Sequence, residues 1–252
     1  MARRLIVAVV VLVLVAAGGA VWLWRSVHSQ SASRVEDVLA DYRAKAKPSQ
    51  PAQPGLPAQG VYTYRVAGHE AISSALTIKR TLPPTATMMV LQHTGGFDTD
   101  IRYSKEHREQ ASYRLDPKGD YLTRAITTVA AGPITAVKDR TWSPELLRFP
   151  KAPAAAAAAI SGHYTAQSLT LDITTRALPD AVVRVGAKPV TAHVIEFDQK
   201  VTGEYQGTTV ERYWYDPASG LVVRSTTEQH LTGPTGLDFS VDQPLTSLTP
   251  QP

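Results

Sequence analysis

The chain has 252 residues, a formal net charge of +4 and no cysteine. The lack of cysteine excludes disulfides, thiolate metal sites and a cysteine nucleophile. Its basic residues are scattered in small groups, such as Lys79-Arg80, instead of forming a patch, so the charge pattern argues against a nucleic-acid partner. The length is sufficient for a domain that buries its own core without a disulfide or a metal.

The N-terminus carries an uncharged apolar run from Leu5 to Trp24. At about 1.5 Å per residue, a helix of this length spans the ~30 Å hydrocarbon core of a bilayer. Trp22, Trp24 and Arg25 stand at one end, where aromatic and basic side chains favour the membrane interface. Residues 1–25 are therefore predicted to form a transmembrane anchor, which gives a single-pass protein of the cell membrane with its C-terminal domain outside the cytoplasm.

A cleavable signal peptide is the alternative interpretation of the same segment. Met1 to Arg4 would be its basic region, and Ala16 to Ala20 would supply small residues for cleavage. The chain stays apolar through Val21 to Trp24, however, which favours the anchor. Both interpretations export the rest of the chain.

Residues 26–60 are predicted to form a juxtamembrane helix and a linker. In the segment Ser33 to Ala46, Ser33 and Glu36 have the spacing of a capping box, and Val35, Val38, Leu39 and Tyr42 fall on one helical stripe. We expect this helix to dock on its own domain; pairing with a partner protein is the alternative. From Lys47 to Gly60 a proline stands at every third position, which favours an extended spacer.

Residues 61–252 are predicted to form one extracytoplasmic β-rich domain. Two sites, Asp116-Pro117-Lys118-Gly119 and Asp216-Pro217-Ala218-Ser219-Gly220, carry turn residues between strand-like runs, which predicts two β-hairpins. The other predicted strands are Val61–Val66, Ala86–His93, Phe97–Tyr103, His163–Ile173, Ala181–Val185 and Val190–Val201.

Three further segments carry other predictions. Trp142 to Glu145 is expected to open a short helix, with Ser143 as its N-cap and Pro144 at its first position. Ala152 to Ala159 is of low complexity, and either a flexible connection or a helical turn fits it. The tail from Gly233 is expected to run along the surface. The predicted fold class is therefore mainly β, a curved antiparallel sheet with one or two short helices besides the anchor.

Residues with catalytic or metal-binding chemistry do not form a recognisable motif. None of the seven histidines stands four residues from another, and no Gly-x-Ser-x-Gly or phosphate-binding loop is present. His69-Glu70 is expected to lie in a turn. Asp98 and Asp100 share one strand face, but no further oxygen ligands stand near them. We therefore expect no enzyme activity, no catalytic residues, no metal and no cofactor.

The segment from Gly186 to Gln229 resembles the closing strands of lipoprotein-carrier-like half-barrels, which include the LolA-type carriers and the LppX-type actinobacterial lipoproteins. The resemblance is carried by a Trp-x-Asp-Pro-x-x-Gly-Leu-x-x-Arg hairpin, here Trp214, Asp216, Pro217, Gly220, Leu221 and Arg224. The order of anchor, short helix, Pro-rich spacer, Gly60 to Arg65, Gly68-His69-Glu70 and hairpin is similar to that of a group of actinobacterial membrane-anchored envelope proteins. Members of that group often carry cysteines, and this chain has none.

The resemblance implies a half-barrel whose concave apolar face receives acyl chains. On that face we predict a ligand site formed by Ile195, Phe197, Tyr213, Trp214 and Tyr215. The expected function is a membrane-tethered extracytoplasmic binding module for a lipid or other hydrophobic ligand, with the membrane as a partner through Leu5 to Trp24. The alternative is a structural or protein-interaction component of the cell envelope that encloses no ligand cavity and binds an envelope protein.

Overall fold

A computed structural model describes residues 30–46, 55–73, 77–131, 134–151 and 160–252. Within these ranges, no helix combines the length and the hydrophobicity needed to cross a bilayer. The predicted anchor, Leu5 to Trp24, and the low-complexity segment, Ala152 to Ala159, lie outside the described residues.

The described chain forms a single antiparallel sheet of fourteen strands and one helix. In spatial order the strands run β1-β4-β5-β6-β7-β8-β9-β10-β11-β12-β13-β14-β2-β3. This confirms the mainly β fold class, with a curled half-barrel sheet and one short helix. The elements are α1 (Val35–Lys45), β1 (Gly60–Arg65), β2 (Ala67–Ser73), β3 (Thr77–Thr81), β4 (Thr85–His93), β5 (Gly96–Arg102), β6 (His107–Asp116), β7 (Gly119–Ala131), β8 (Ile134–Pro150), β9 (Ile160–Ala166), β10 (Leu169–Val185), β11 (Lys188–Gly203), β12 (Gln206–Tyr215), β13 (Val222–Thr232) and β14 (Gly236–Pro244).

Both predicted hairpins are confirmed, as β6–β7 and β12–β13. In the second turn an oxygen of Asp216 accepts a hydrogen bond from the Ala218 amide at 3.1 Å. Gly220 follows with φ +65°, a left-handed conformation that side chains disfavour. The residues that predicted a turn therefore form it: Asp216 accepts a backbone hydrogen bond, and Gly220 adopts the left-handed conformation.

The sheet curls until its first strand meets the end of the chain. β1 pairs with β4 on one side, and on the other side it makes isolated bridges between Val61 and Gln251 and between Tyr64 and Leu245. β8 and β9 meet through a single pairing, Ser143 with Thr165. The sheet therefore curls around an interior, and β8 and β9 are joined by fewer residue pairs than the other neighbouring strands.

The antiparallel order places the turns at two opposite rims. One rim, called here the Glu204 rim, holds the β5–β6 turn (residues 103–106), the β11–β12 turn (204–205) and the β13–β14 turn (233–235). The other, called the Gly220 rim, holds the β6–β7 turn (117–118) and the β12–β13 turn (216–221).

Helix α1 packs on the outer face of β1 and β4, which confirms that it docks on its own domain. Val38 is fully buried and, with Tyr42, contacts Val61 and Met89. An ion pair between Asp41 and Arg102 fixes the helix to β5. The capping-box prediction is wrong, since the helix begins at Val35 and the preceding Arg34 makes no side-chain cap.

Three other predictions differ from the structure. Trp142 to Glu145 is part of β8 and does not form a helix. The residues before and after this segment pair with β7, and this pairing keeps the chain extended although Ser143-Pro144 is typical of a helix start. His69-Glu70 lies inside β2, where cross-strand pairs on both sides hold it. The tail beyond Gly233 forms β14 within the sheet.

The linker prediction also needs correction at its C-terminal end. Leu56 and Pro57 are buried against the domain, and the Pro57 carbonyl accepts a hydrogen bond from Gln92 at 2.8 Å. Apolar contact with the core outweighs the extended, solvated conformation that a proline-rich sequence favours on its own. The rest of the predicted spacer, residues 47–54, is not among the described residues.

Candidate ligand-binding cavity

The interior of the curled sheet contains a cavity of about 280 Å³. Inward side chains from strands on all sides of the curl line it. The period-two alternation of a strand explains which residues face it. On β8, for example, Ala136, Lys138, Arg140 and Trp142 line the cavity, whereas Val137 between them is 58% exposed.

Towards the Gly220 rim the cavity wall is largely apolar. Tyr64, Met88, Phe97 and Leu221 line it there, and all four are buried. The tip of the β10–β11 hairpin, with Val183 and Val185, joins the same hydrophobic cluster.

Aromatic rings continue this wall towards the middle of the cavity. The rings of Phe97 and Tyr113 stack with centroids 4.7 Å apart, and Phe149 lies 5.8 Å beyond Tyr113. Leu122 and Leu146, which are also buried, line the cavity beside them. This half of the interior therefore offers a continuous apolar surface.

The middle of the cavity contains a buried polar cluster centred on Arg148. Its guanidinium donates to Glu211 at 2.6 Å and to the Tyr213 hydroxyl at 2.5 Å, and Gln199 donates to the same carboxylate. The guanidinium carbon also lies 4.5 Å from the centroid of the Phe197 ring. Burial disfavours the charge of Arg148, but the Glu211 carboxylate and nearby groups outweigh it and raise the pKa of Arg148. The ion pair is therefore internally satisfied.

Near the Glu204 rim two more cations line the cavity. Lys138 pairs with Glu204 at 2.8 Å and lies 4.7 Å from the centroid of the Tyr205 ring. Arg140 follows two residues later on the same face of β8. Burial lowers the pKa of Arg140, although Tyr205 and Glu204 act in the opposite direction.

Several lining residues towards the Glu204 rim, such as Ala136, Gln229 and Leu231, are partly exposed. A ligand that entered past these residues would meet the cations Lys138 and Arg140 before it reached the apolar wall.

The structure brings four of the five predicted ligand-binding residues together. Ile195, Phe197, Tyr213 and Tyr215 belong to one hydrophobic cluster on the inner face of β11 and β12, and of these Tyr213 lines the cavity. Trp214 lies elsewhere, because the alternation of β12 turns it to the other face. There it contacts the guanidinium groups of Arg212 and Arg224, whose central carbons lie 5.8 and 4.9 Å from its ring.

Asp100, one of the two carboxylates considered for metal binding, is engaged in ion pairs with Arg102 and Arg108. Asp100 accepts hydrogen bonds from Arg108 at 2.5 Å on both of its oxygens. Within the part of the chain that the structure describes, no group of three or more His, Asp or Glu side chains is arranged to hold a metal ion. The expectation of no metal, no cofactor and no catalysis stays a prediction.

Sequence reasoning missed the polar lining of the cavity. Lys138, Arg140 and Trp142 alternate with outward residues, so a period-two signal was present, but Pro144 suggested that a helix began there. Arg148 and Glu211 are far apart in sequence, and only the curl of the sheet brings β8 and β12 to the same interior.

No protein-family model matches the chain, and no curated protein matches it either.

Proposed function

We propose that the protein is a membrane-tethered binding module outside the cytoplasm, and that it holds a lipid or another hydrophobic ligand in the interior of its curled sheet. The cavity of about 280 Å³ carries this proposal. About 10–15 Å³ of such space holds one water, so the interior has room for on the order of twenty waters or a small molecule of equal size.

The chemistry of the wall favours an apolar ligand. Ligand sites are typically concave and mostly apolar, with a few polar groups that fix orientation. The wall formed by Phe97, Tyr113, Leu122 and Phe149 fits the first part of that description, and the cations near the Glu204 rim fit the second. The resemblance of the hairpin from Trp214 to Arg224 to that of carriers that take acyl chains supports the same assignment.

The tether in this proposal is the apolar run from Leu5 to Trp24, and its support is the sequence. Twenty uncharged residues match the thickness of a bilayer, and export would place the domain outside the cytoplasm. The alternative function, an envelope interaction protein, expects a filled interior. The cavity therefore favours the binding module.

Mass spectrometry of co-purified small molecules tests the proposal. The full chain is extracted from membranes and purified, and its ligands are extracted with organic solvent. We expect a hydrophobic compound with the native chain and its loss with Ala125→Trp, because Ala125 lines the cavity and a larger ring would fill it.

Val137→Trp is the matched control, since Val137 lies on the exposed face of β8 and its replacement leaves the cavity unchanged. Retention of the compound by this variant is the expected result. If the native chain repeatedly carries no more apolar material than Ala125→Trp does, the binding module is the wrong function.

A further inference from the structure

Two hydrogen-bond donors on one face of β8 line the cavity and have no acceptor among the described residues. Arg140 donates no hydrogen bond to the described residues, and no carboxylate lies within salt-bridge distance of it. Every Asp and Glu of the chain falls inside the described ranges, so no Asp or Glu side chain of this chain pairs with Arg140. The indole nitrogen of Trp142, two residues along, is buried and also has no partner among the described residues.

The other cations of the cavity differ from Arg140 in this respect. Arg148 has Glu211 as its partner, and Lys138 has Glu204. An arginine keeps its charge even in a partly buried site, because its pKa is too high for deprotonation. Arg140 is half-buried. A charge that is partly withdrawn from water without a hydrogen-bonding partner is costly, and a bound anion would lower that cost.

We infer that Arg140 and Trp142 form the head-group site for an amphiphile with a single anionic group, a carboxylate or a phosphate monoester. The planar guanidinium suits both groups, since it donates two parallel hydrogen bonds, and the indole N–H adds a third donor. The alkyl chain would extend past Leu122 and Phe149 towards the Gly220 rim. This inference rests on the proposed function and names the class of ligand for the same cavity.

Photo-crosslinking in membranes that contain the full chain tests the head-group site. The probes are a long-chain carboxylic acid and an alkyl phosphate, each with a diazirine in the chain, and the primary alcohol of the same length. We expect both acids to label cavity-lining peptides roughly tenfold more than the alcohol, because hydrogen bonds to charged groups stabilise more than neutral ones.

Variants assign this preference to the two donors. Arg140→Gln should reduce labelling by the acids to the level of the alcohol, and Trp142→Phe should reduce it partly while keeping the ring. Arg184→Gln is the control, because Arg184 is exposed on β10 and does not line the cavity. Competition by millimolar inorganic phosphate would show that a free anion occupies the site and would overturn the amphiphile assignment.

The remaining outcomes separate the inference from the proposed function. Equal labelling of the cavity by the acids and the alcohol in the native chain overturns the head-group site and leaves the hydrophobic cavity intact. No labelling of the cavity by any probe overturns both. A retained preference for the acids in Arg140→Gln shows that the charge lies elsewhere and overturns the assignment.

A separate observation concerns the position of the described N-terminal residues relative to the two rims. The first described residues lie at the Glu204 rim: the Lys105 amide donates to the Ser31 carbonyl at 2.9 Å, and the Ser31 amide donates to Glu106 at 2.9 Å. Both partners are in the β5–β6 turn of that rim. Only residues 25 to 29 separate Ser31 and Gln30 from the end of the apolar run at Trp24.

These five residues limit the distance between the rim and the anchor. At most ~3.6 Å per residue, they reach about 18 Å. The length of β12, from Gln206 at one rim to Tyr215 at the other, is about 30 Å at the rise of a strand. Given the proposed anchor, the geometry points to a domain whose Glu204 rim faces the bilayer, so that a lipid could pass between membrane and cavity at this rim without crossing bulk water.

Energy transfer to a membrane dye tests this orientation. The chain has no cysteine, so Gln206→Cys at the Glu204 rim and Ala218→Cys at the Gly220 rim each provide one labelling site, and both positions are exposed. With the full chain in vesicles that contain a head-group dye, we expect stronger transfer from Gln206→Cys.

Equal or stronger transfer from Ala218→Cys would overturn the orientation. Flotation of the same samples checks the tether separately. If the intact chain does not float with the vesicles, the anchor itself fails, and the orientation fails with it.

Discussion

Glu70 and His107 share a hydrogen bond of 2.6 Å between Oε2 and Nδ1, in a site where both side chains are almost completely buried. The other oxygen of Glu70 pairs with Arg80, which in turn donates to the Ala130 carbonyl at 2.7 Å. The cluster therefore joins β2, β3, β6 and the end of β7, parts of the sheet that the strand order places far apart. It holds the curl together near the Glu204 rim.

Glu70→Gln should destabilise the domain by about 3–5 kcal/mol, because it leaves Arg80 and His107 buried without their anionic partner. Chemical unfolding followed by circular dichroism measures the change. Asp139→Asn is the comparison, since its ion pair with Arg124 is exposed and should contribute at most about 1 kcal/mol. Equal effects of the two substitutions would show that the buried cluster does not hold the curl.

His107 should make stability fall as the solution becomes alkaline. Burial opposes its charge, but Glu109 and Glu70 outweigh burial and raise the pKa of His107 from 6.5 to about 9. Because His107 binds its proton more tightly in the folded state, its charge stabilises the fold fully below 6.5, the pKa of an unperturbed histidine. This contribution is lost as pH rises from 6.5 through about 9.

Unfolding free energies measured across that range test the titration. His107→Gln should abolish the decline attributed to this residue, whereas His163→Gln should keep it, because His163 and its partner Asp172 are exposed. A native protein whose stability does not change over this range would contradict the charged state of His107.

Asp120 should weaken the fold at neutral pH. Burial raises its pKa to about 6, although Lys151 acts in the opposite direction. Since the raised pKa favours the protonated form, stability is lost as pH rises from 3.8 through about 6. Asp120→Asn should therefore stabilise the protein above that range by about 1–2 kcal/mol, and should have little effect at pH 4. If Asp120→Asn destabilised the protein at pH 8, the Asp120 carboxylate would have a favourable partner and this prediction would be wrong.

The docking of α1 can be tested with two substitutions in the same helix. Val38→Asp places a charge in a fully buried contact with β1 and β4, whereas Ala40→Asp changes an exposed position. We expect Val38→Asp to accelerate amide hydrogen exchange in α1 roughly tenfold or more, since a buried valine contributes about 1.5–3 kcal/mol. Unchanged exchange in Val38→Asp would show that another contact holds the helix.

The sequence predicted the parts of the fold that depend on neighbours along the chain. The turns at Asp116 and Asp216 and the stripe of Val38 and Tyr42 are local patterns, and the structure has hairpins and a docked helix there. The curl of the sheet was predicted through resemblance. Its closure, by Tyr64 with Leu245, joins residues far apart in sequence and has no local signal.

The candidate site was less accessible to sequence reasoning. Aromatic residues on β12 were recognised, but the prediction placed Tyr213, Trp214 and Tyr215 on one face, whereas the alternation of a strand turns Trp214 to the face opposite Tyr213. The polar lining was missed because local rules conflict on β8: Pro144 favours a helix start, while pairing with β7 extends the strand through it. Such conflicts are decided by tertiary pairing, which a single sequence does not contain.

The central claim is that the interior of the sheet holds an apolar ligand. A crystal structure of the full chain purified from membranes tests it most directly. The account predicts continuous non-protein density that runs from the aromatic wall at Phe97 and Tyr113 towards Arg140. An interior filled by the protein's own side chains, with no space between Phe149 and Arg140, would contradict it.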